Sequence, residues 1–585
     1  MTYAAPIADM RFALEACADV WRVRAGGGFG DLDGDLLSAI LEGAGALAGN
    51  TLAPINAVGD REGVALENGV VRSAPGFADA YQVFVDGGWQ GLAAGTAHGG
   101  QGLPRAVALA VHEMVHAANM AFGLCPMLTL GAIEALEAHG TPAQQETYLP
   151  KLVTGEWTGT MNLTEPQAGS DVGALTAKAV PASDGSYRIT GQKIYITWGE
   201  HDMADNVVHL VLARLPDAPA GSRGVSLFIV PKILPGTRVR NALRCIGLER
   251  KMGIHASPTC TMQYDEATGW LIGEPNKGLA CMFTMMNSAR LNVGLQGVAV
   301  AEGAYQKALS YARDRRQGKA DGDTGKGPSP ILMHADVRRM LLGMKARIQA
   351  GRAICYATAV AADLAKFGPE DGRAVARARE DLLTPIAKAW CTDMGVEVAS
   401  LGVQVHGGMG FVEDGGASQY YRDSRIAPIY EGTNGIQAID LIGRKVAGDG
   451  GVAMRALIGE AREIAVAAQN GGRVTLEQMG KRLWQATQAL DEATDYILQA
   501  QEADRRDALA GATPFLKLAG DVVGGMLLAR GCLNPGNTEP AVRQSQEALG
   551  GFFAETVLAS AAAQLATIMV GAAALYDDAL GELAG

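Results

Sequence analysis

The hydrophobic pattern of this chain changes its period twice, and this limits the folds open to it. Before and after a central segment, apolar residues recur at three- and four-residue steps, as Leu291, Leu295 and Val298 do, which indicates helices. Within that segment, short runs rich in Val, Ile, Thr and Tyr alternate with turn signals, which is typical of strands; these runs are 187–197, 206–215, 224–231 and 259–264. The sequence therefore predicts a mainly α protein with an inserted β domain.

The length of 585 residues exceeds what one hydrophobic core usually organises, so several domains are expected. Aromatic residues make up only 6% of the chain, whereas glycine contributes 76 residues, which favours helices packed through small side chains. We predict an N-terminal extension, an N-terminal helical domain, a β domain, a C-terminal helical bundle and an additional helical domain, at residues 1–35, 36–161, 162–286, 287–448 and 449–585.

Three local signals predict finer details. Thr141-Pro142-Ala143-Gln144 follows Gly140 and predicts a helix that starts with a capping box. Residues 54–76 are predicted to form a loop. Thr475 and Gln478 predict a second capping box, ahead of a helix whose apolar face is formed by Met479, Leu483, Ala486, Leu490, Ala493 and Ile497.

Charge and cysteine usage argue against several classes of function. The net charge is −12, from 62 acidic and 50 basic residues, so we expect no binding to nucleic acid or to anionic membrane. The eight cysteines show neither a C-x-x-C pair nor a metal-binding spacing, so we expect free thiols, no metal site and a cytoplasmic protein. No signal peptide is visible, and the apolar stretch 552–576 is interrupted by Glu555 and Gln564, so we expect no membrane span.

The segment 430–437, Tyr-Glu-Gly-Thr-Asn-Gly-Ile-Gln, carries the candidate catalytic residue. Its single carboxylate, Glu431, is followed at once by Gly432 and Thr433, residues that favour a turn, so the backbone is expected to be held tightly. Upstream, the segment 161–171 reads Met-Asn-Leu-Thr-Glu-Pro-Gln-Ala-Gly-Ser-Asp and offers hydroxyl and backbone N–H donors to a ring or a phosphate. Alone, such a run is as often a capped turn.

Two further motifs lie between these segments in the chain. Residues 191–199 form a predicted strand on which Tyr195 and Thr197 share a face, an aromatic plane beside a hydroxyl, although ordinary sheet packing explains the pair equally well. Residues 404–411, Gln-Val-His-Gly-Gly-Met-Gly-Phe, form a helix end whose glycines either let backbone approach a ligand or terminate the helix.

These four motifs, in this order, resemble those of the acyl-CoA dehydrogenase family. The resemblance covers about residues 36–448 and implies that family's fold: an N-terminal helical domain, a middle β domain and a C-terminal four-helix bundle. The Tyr3-Ala4-Ala5-Pro6 start and the long helical addition after residue 448 resemble the subgroup that contains 3-methylmercaptopropionyl-CoA dehydrogenase.

The resemblance implies a reaction and a base. Glu431 matches the family carboxylate that removes the α-proton of an acyl-CoA thioester while the β-hydrogen leaves as hydride to flavin N5. Some relatives carry the base just before an active-site Arg, but here Ala289 precedes Arg290, so Glu431 is the only matched candidate. The substrate would also contact four residues: Arg290, Ser170, Tyr430 and Gly432. Its carbonyl oxygen would accept from the Glu431 N–H and from a ribityl hydroxyl of FAD.

For FAD, the matched positions fall into three groups. The flavin and its phosphate would be lined by Met161, Leu163, Thr164, Ser170, Tyr195 and Thr197. The adenine side would lie near Thr433 and Gln437. Arg315 would meet the pyrophosphate, without the aromatic-Gly pair that usually follows it, and Gln404, Gly407 and Gly408 would reach the FAD of a neighbouring subunit. A homodimer or a dimer of dimers is therefore expected.

The sequence leaves the electron acceptor and the acyl group open. An acyl-CoA dehydrogenase would pass electrons to an electron-transfer flavoprotein, whereas an acyl-CoA oxidase would pass them to oxygen. A non-catalytic flavin-binding relative that protects DNA or serves as a scaffold would be expected to be basic and to lack the base, whereas this chain is acidic and keeps Glu431. Short, medium, thioether and aryl acyl groups all remain possible substrates.

Overall fold

The computed structural model describes residues 3–26, 28–577 and 581. Residues 1, 2 and 27 of the predicted N-terminal extension, and 578–580 and 582–585 of the predicted last domain, lie outside the described residues. The chain folds into helices on both sides of an inserted sheet, so the predicted fold class is confirmed.

The N-terminal part is helical, as predicted. Its helices are α1 Ile7–Arg11, α2 Gly34–Leu47, α3 Ala53–Glu62, α4 Phe77–Asp86, α5 Arg105–Ala118, α6 Met120–His139 and α7 Pro142–Thr154. The capping box that starts α7 is confirmed: Thr141 and Gln144 exchange side-chain and backbone hydrogen bonds.

The predicted loop at 54–76 is wrong, because this stretch contains most of α3 and a hairpin of β1 Ala65–Glu67 and β2 Val70–Arg72. Pro54 lies in the first turn of α3, where a missing N–H costs nothing. Asn68 and Gly69 join the strands with φ angles of 51° and 78°, as a two-residue hairpin turn requires. The Asn-Gly pair was the signal that sequence reasoning overlooked.

Residues 3–26 pack against the rest of the protein. Met10 and Phe12 are buried, and Asp9 accepts from Lys345 Nζ at 2.7 Å and from Gln546 Nε2 at 2.7 Å. One short segment thus connects a helix of the bundle with a helix of the last domain.

The β domain is a seven-stranded sheet. Its strands are β3 Trp157–Asn162, β4 Lys178–Pro181, β5 Tyr187–Thr197, β6 Asn206–Ala213, β7 Ser226–Pro231, β8 Leu243–Leu248 and β9 Thr259–Ile272. The strand order is β3-β6-β7-β9-β5-β4, with β8 on β9, and only the β3–β6 pair is parallel. All four predicted strands are present, but β3, β4 and β8 were missed; the register shift at Cys245/Gly247 interrupts β8.

Three long helices form the body of the bundle. They are α8 Gly278–Asp314, α9 Ala335–Phe367 and α10 Arg373–His406, followed by the shorter α11 Gly408–Phe411, α12 Ala417–Ser424 and α13 Asn434–Asp440. A buried ionic network ties α8 and α9 to α5: Arg352 contacts Glu113 at 2.7 Å and Glu302 at 2.9 Å, and Tyr356 donates to Glu113.

The last segment adds α14 Val452–Gln469, α15 Val474–Ala503, α16 Arg505–Leu533, α17 Pro540–Thr556 and α18 Ala561–Ile568. The predicted apolar face of α15 is confirmed, because all six of its residues are buried. The capping box predicted at Thr475 is wrong: α15 already begins at Val474, and Arg473, anchored to Glu547 and to the Cys532 carbonyl, takes the N-cap position. Trp390 Nε1 of α10 donates to Asp521 of α16, so this segment packs on the bundle.

Four helical stretches in the described residues have the length and composition to cross a membrane. Two of them, Met120–His139 and Arg505–Leu533, are 89% and 83% buried inside the protein over their most apolar windows, so their apolar surface is used in the core. The other two, Gly34–Glu62 and Pro540–Ile568, are 39% buried. The absence of a membrane partner stays a prediction.

The buried network around Arg352 gives a stability prediction. Arg352→Met leaves the carboxylates of Glu113 and Glu302 buried without this partner, so the free energy of unfolding should fall by about 3–5 kcal/mol. Guanidinium denaturation measures the change. The exposed pair of Arg482 and Glu555 provides the control, because Arg482→Met should cost less than about 1 kcal/mol. Equal losses in the two variants would contradict the structure.

Candidate active site

A cavity of about 1060 Å³ lies between the β domain, α8 and the loop that joins α12 to α13. It brings together eleven of the sequence-predicted site residues: Met161, Leu163, Thr164, Ser170, Tyr195, Thr197, Arg290, Tyr430, Glu431, Gly432 and Thr433. Three distant parts of the chain therefore meet at one site.

Glu431 lies in a strained turn within this joining loop, residues 425–433, here called the Glu431 loop. Its φ angle is 56°, a left-handed conformation that side chains other than glycine rarely adopt, and Gly432 follows with φ 82°. The turn is held from both ends: Thr433 caps α13 by accepting from Ile436 N–H, and Asn434 N–H donates to the Pro428 carbonyl. Such strain is most often found where a residue has a function.

The environment of Glu431 makes it a base. Burial raises the pKa of its carboxyl to about 7, and the positive charges of Arg290 and Lys388 pull it partly back. In the described part of the chain, neither its carboxylate nor its backbone N–H has a hydrogen-bond partner. A half-buried carboxylate with a pKa near neutrality and an unused N–H beside it can take a proton and bind an oxygen at the same place.

Arg290 is fixed beside this carboxylate from α8. It is buried, and its Nη1 lies 3.5 Å from Oδ2 of Asp440, whose other oxygen, Oδ1, accepts from Arg444 Nε at 2.5 Å. Burial lowers the pKa of Arg290 and its Nε has no partner among the described residues. The guanidinium therefore contributes a desolvated positive charge to the site.

The opposite wall of the cavity comes from the sheet. Met161 is the second-last residue of β3, Leu163 and Thr164 directly follow the strand, and Tyr195 and Thr197 belong to β5. The expected simple alternation of β5 is interrupted, because its register shifts between Lys193 and Ile196 and Tyr195 has a φ of 59°. Tyr195 and Thr197 still both line the cavity, and Tyr195 is 60% exposed.

The remaining predicted residues lie elsewhere. Arg315, Gln404, Gly407 and Gly408 line a second cleft of about 440 Å³ and do not line the main cavity. Gln437 is buried behind the Glu431 loop, where its Nε2 donates to the carbonyls of Glu431 and Gly432 at 3.3 Å. Gln437 thus supports the turn, whereas the other four form a separate surface.

Sequence reasoning missed several residues that build the site. Gly253 lets the β domain approach α12 closely, since a Cβ there would lie 2.6 Å from the backbone of Arg422. Beside it, Ile254 N–H donates to Asp423 of α12. Lys388 and Asn434 lie under the Glu431 loop, and no motif in the sequence assigns Lys388 a role. A lysine in an otherwise apolar run was the only available signal.

The chain matches family models along most of its length. They are "Acyl-CoA dehydrogenase, N-terminal domain" at 40–156, "Acyl-CoA dehydrogenase, middle domain" at 160–267, "Acyl-CoA dehydrogenase, C-terminal domain" at 276–447 and "Acetyl-CoA dehydrogenase C-terminal like" at 456–578. The last of these falls on the added helical segment.

Among curated proteins, the chain is 50% identical over 543 residues, 91% of each chain, to 3-methylmercaptopropionyl-CoA dehydrogenase of Ruegeria pomeroyi. It is 33% identical over 587 residues, 95% of each chain, to the broad-specificity linear acyl-CoA dehydrogenase FadE5 of Mycobacterium tuberculosis. A solved acyl-CoA dehydrogenase from Bacillus anthracis, complexed with FAD, has the same fold with a TM-score of 0.75 at 22% identity, covering 95% of this chain and 91% of that one. The chain is therefore a member of the acyl-CoA dehydrogenase family, a family of oxidoreductases.

Proposed function

We propose that this protein catalyses the FAD-dependent α,β-dehydrogenation of a short acyl-CoA thioester to a trans-2-enoyl-CoA, with Glu431 as the base. The observation that carries the proposal is the state of Glu431: strained backbone, partial burial and a pKa near 7 inside the large cavity. The other carboxylates lining the cavity, Asp171 and Glu249, are exposed. A weakly acidic thioester α-C–H needs a desolvated base of this kind.

The residues of the cavity fit a flavin. The sheet side offers an exposed aromatic ring at Tyr195 and hydroxyls at Thr164, Ser170 and Thr197, while Met161 and Leu163 supply apolar surface. FAD is the cofactor of the family to which the chain belongs, and these residues would hold it. When bound, it supplies the acceptor for the β-hydrogen and its electron pair.

Glu431 acts through its carboxylate and its backbone N–H in the same step. The ionised carboxylate takes the α-proton, and the unpaired Glu431 N–H donates to the thioester carbonyl oxygen as negative charge develops there. Arg290 keeps positive charge near the carboxylate before proton transfer. Tyr430 and Gly432, on either side of the base, line the space that the acyl group would enter.

The interior beyond Tyr430 is filled, which favours a short acyl group. Tyr430 donates its hydroxyl proton to Gln296 Oε1, and Gln296 Nε2 lies 3.2 Å from Met127 Sδ. Gln296 is fully buried, so this chain of contacts closes the protein behind Tyr430. The 50% identical relative is named for the 3-methylmercaptopropionyl group, a short thioether, and we propose the same substrate here.

We propose that the second cleft receives the nucleotide end of FAD from another copy of the chain. Arg315 supplies a positive charge, and the backbone at Gly407 and Gly408 is open to close approach; the half-exposed side chains of Met409 and Val412 line the same cleft. This arrangement supports a homodimer or a dimer of dimers. An electron-transfer flavoprotein is the proposed electron acceptor.

The role of the base predicts a large loss of activity on Glu431→Gln. Because general-base catalysis contributes about 10²- to 10⁴-fold, the rate of anaerobic flavin bleaching by acyl-CoA should fall by at least that range. The exposed Glu397 on α10 provides the control, since Glu397→Gln should bleach at the wild-type rate. Bleaching of Glu431→Gln at the wild-type rate would refute the assignment. Hydrogen peroxide formation under air by the wild type would indicate an oxidase instead.

The closed interior behind Tyr430 predicts an order of substrates. In a panel of thioesters, 3-methylmercaptopropionyl-CoA and butyryl-CoA should bleach the flavin at least about tenfold more efficiently than an acyl group of twelve carbons, because the longer chain needs space that Gln296 occupies. Gln296→Ala should reduce that ratio, because it opens space behind Tyr430 for the longer chain. A wild-type preference for the long chain would contradict the proposed substrate class.

A further inference from the structure

Lys388 is a buried lysine that the proposed reaction has not used. It lies on α10 with no exposed side-chain surface. Burying an ammonium is costly, and proteins usually offset the cost with a carboxylate partner. Lys193 and Lys232 follow that rule, because each is buried against a glutamate: Glu165 at 2.8 Å from Lys193 Nζ, and Glu200 beside Lys232.

Lys388 departs from the rule. Among residues 3–26 and 28–577 it forms no ion pair, and its Nζ makes one hydrogen bond, of 2.8 Å, to Asn434 Oδ1. Asn434 begins α13, three residues after Glu431. Its Nδ2 in turn donates to Thr392 Oγ1 at 3.0 Å and to Asp393 Oδ1 at 2.7 Å on α10. The ammonium therefore contacts the residue that joins the Glu431 loop to α10.

The charges around Lys388 come from three directions. Glu431 faces it from its loop, Asp393 from its own helix and Arg290 from α8. Asp393 is itself influenced by Arg425 and by Lys517 of α16. Burial lowers the pKa of Lys388 to about 7, with Glu431 and Asp393 opposing that shift and Arg290 adding to it. Glu431 and Lys388 thus titrate in the same range and influence each other.

We propose that Lys388 is a positioning residue for the base: it holds Asn434, and with it the Glu431 turn, against α10, and it places a buried positive charge behind the Glu431 carboxylate. This inference rests on the proposed function. It adds a residue that touches neither substrate nor cofactor and acts only through Glu431 and Asn434. The Lys388 ammonium, which forms no ion pair of its own within the described residues, acts with its charge on Glu431 across the turn.

Two variants separate charge from contact. Lys388→Met removes both the charge and the hydrogen bond, whereas Lys388→Gln removes the charge and keeps a donor for Asn434. Lys345→Met is the matched control, because Lys345 is also a lysine of the bundle core but is paired with Asp9 and Glu302, far along the chain from the Glu431 loop.

The first readout is the pH dependence of kcat/KM for the FAD-loaded enzyme. Without the positive charge, Glu431 should ionise at higher pH. The acidic limb of the kcat/KM profile should therefore move up by about one pH unit in both Lys388 variants, and kcat/KM at pH 6 should fall about tenfold. Above pH 9, Lys388→Gln should approach the wild type, whereas Lys388→Met should stay slower because its turn is less well held. Lys345→Met should keep the wild-type limb. Wild-type limbs in both Lys388 variants would overturn the proposal.

The second readout, the free energy of unfolding against pH, needs no turnover. A lysine whose pKa is about 7 when folded and near 10.5 when unfolded binds fewer protons in the folded state between these values, so it makes stability rise with pH there. In this pH range, the slope of the free energy of unfolding against pH should fall by the equivalent of one proton in both Lys388 variants. It should keep its wild-type value in Lys345→Met. An unchanged slope would overturn the placement of Lys388 even if the wild type were inactive with acyl-CoA. An inactive wild type, together with the predicted loss of slope in both Lys388 variants, would instead count against the proposed function alone.

Discussion

The site depends on one electrostatic constraint: a carboxylate must be dry enough to be a base and still be ionised when substrate arrives. Burial alone would leave Glu431 protonated at neutral pH, and exposure alone would leave it too weak a base. The structure combines burial with the charges of Arg290 and Lys388, so the carboxyl titrates near pH 7. Many of the structural features around Glu431 follow from meeting both requirements at once.

The inserted β domain contributes to the burial that this constraint requires. It covers the cavity opposite the Glu431 loop, and the close contact at Gly253 and Ile254 fixes it to α12, the helix from which the loop departs. The added C-terminal helices pack on α10, where Trp390 donates a hydrogen bond to Asp521 of α16. The helix that holds Lys388 is thus packed from both the bundle and the last segment, which limits the freedom of the loop above it.

Sequence patterns predicted the features that are local. The capping box at Thr141, the stripe of α15 and strand β5 could all be recognised because each depends on neighbours within a few residues. The Asn68-Gly69 hairpin was local too, but its strands are only three residues long and were overlooked. Strands β3 and β8 were not predictable from their own residues, since their identity depends on partners far along the chain.

The candidate site divides in the same way. Motif residues such as Thr164, Tyr195 and Glu431 could be named from the sequence, and the cavity brings them together, although their individual roles stay predictions. Lys388 could not be found, because its importance depends on three-dimensional neighbours: no ion-pair partner within the described residues, and a hydrogen bond to Asn434 across 46 positions of the chain. Cooperation between distant charges leaves no pattern in one sequence.

Exchange of the substrate α-proton with solvent tests the central claim most directly. A thioester such as 3,3-dimethylbutyryl-CoA has α-hydrogens but no β-hydrogen, so it can lose and regain a proton without being oxidised. With FAD-loaded wild-type protein in D₂O, deuterium should appear at the α-carbon, as followed by NMR, and Glu431→Gln should show only the uncatalysed rate. Exchange by Glu431→Gln at the wild-type rate would show that another group removes the proton.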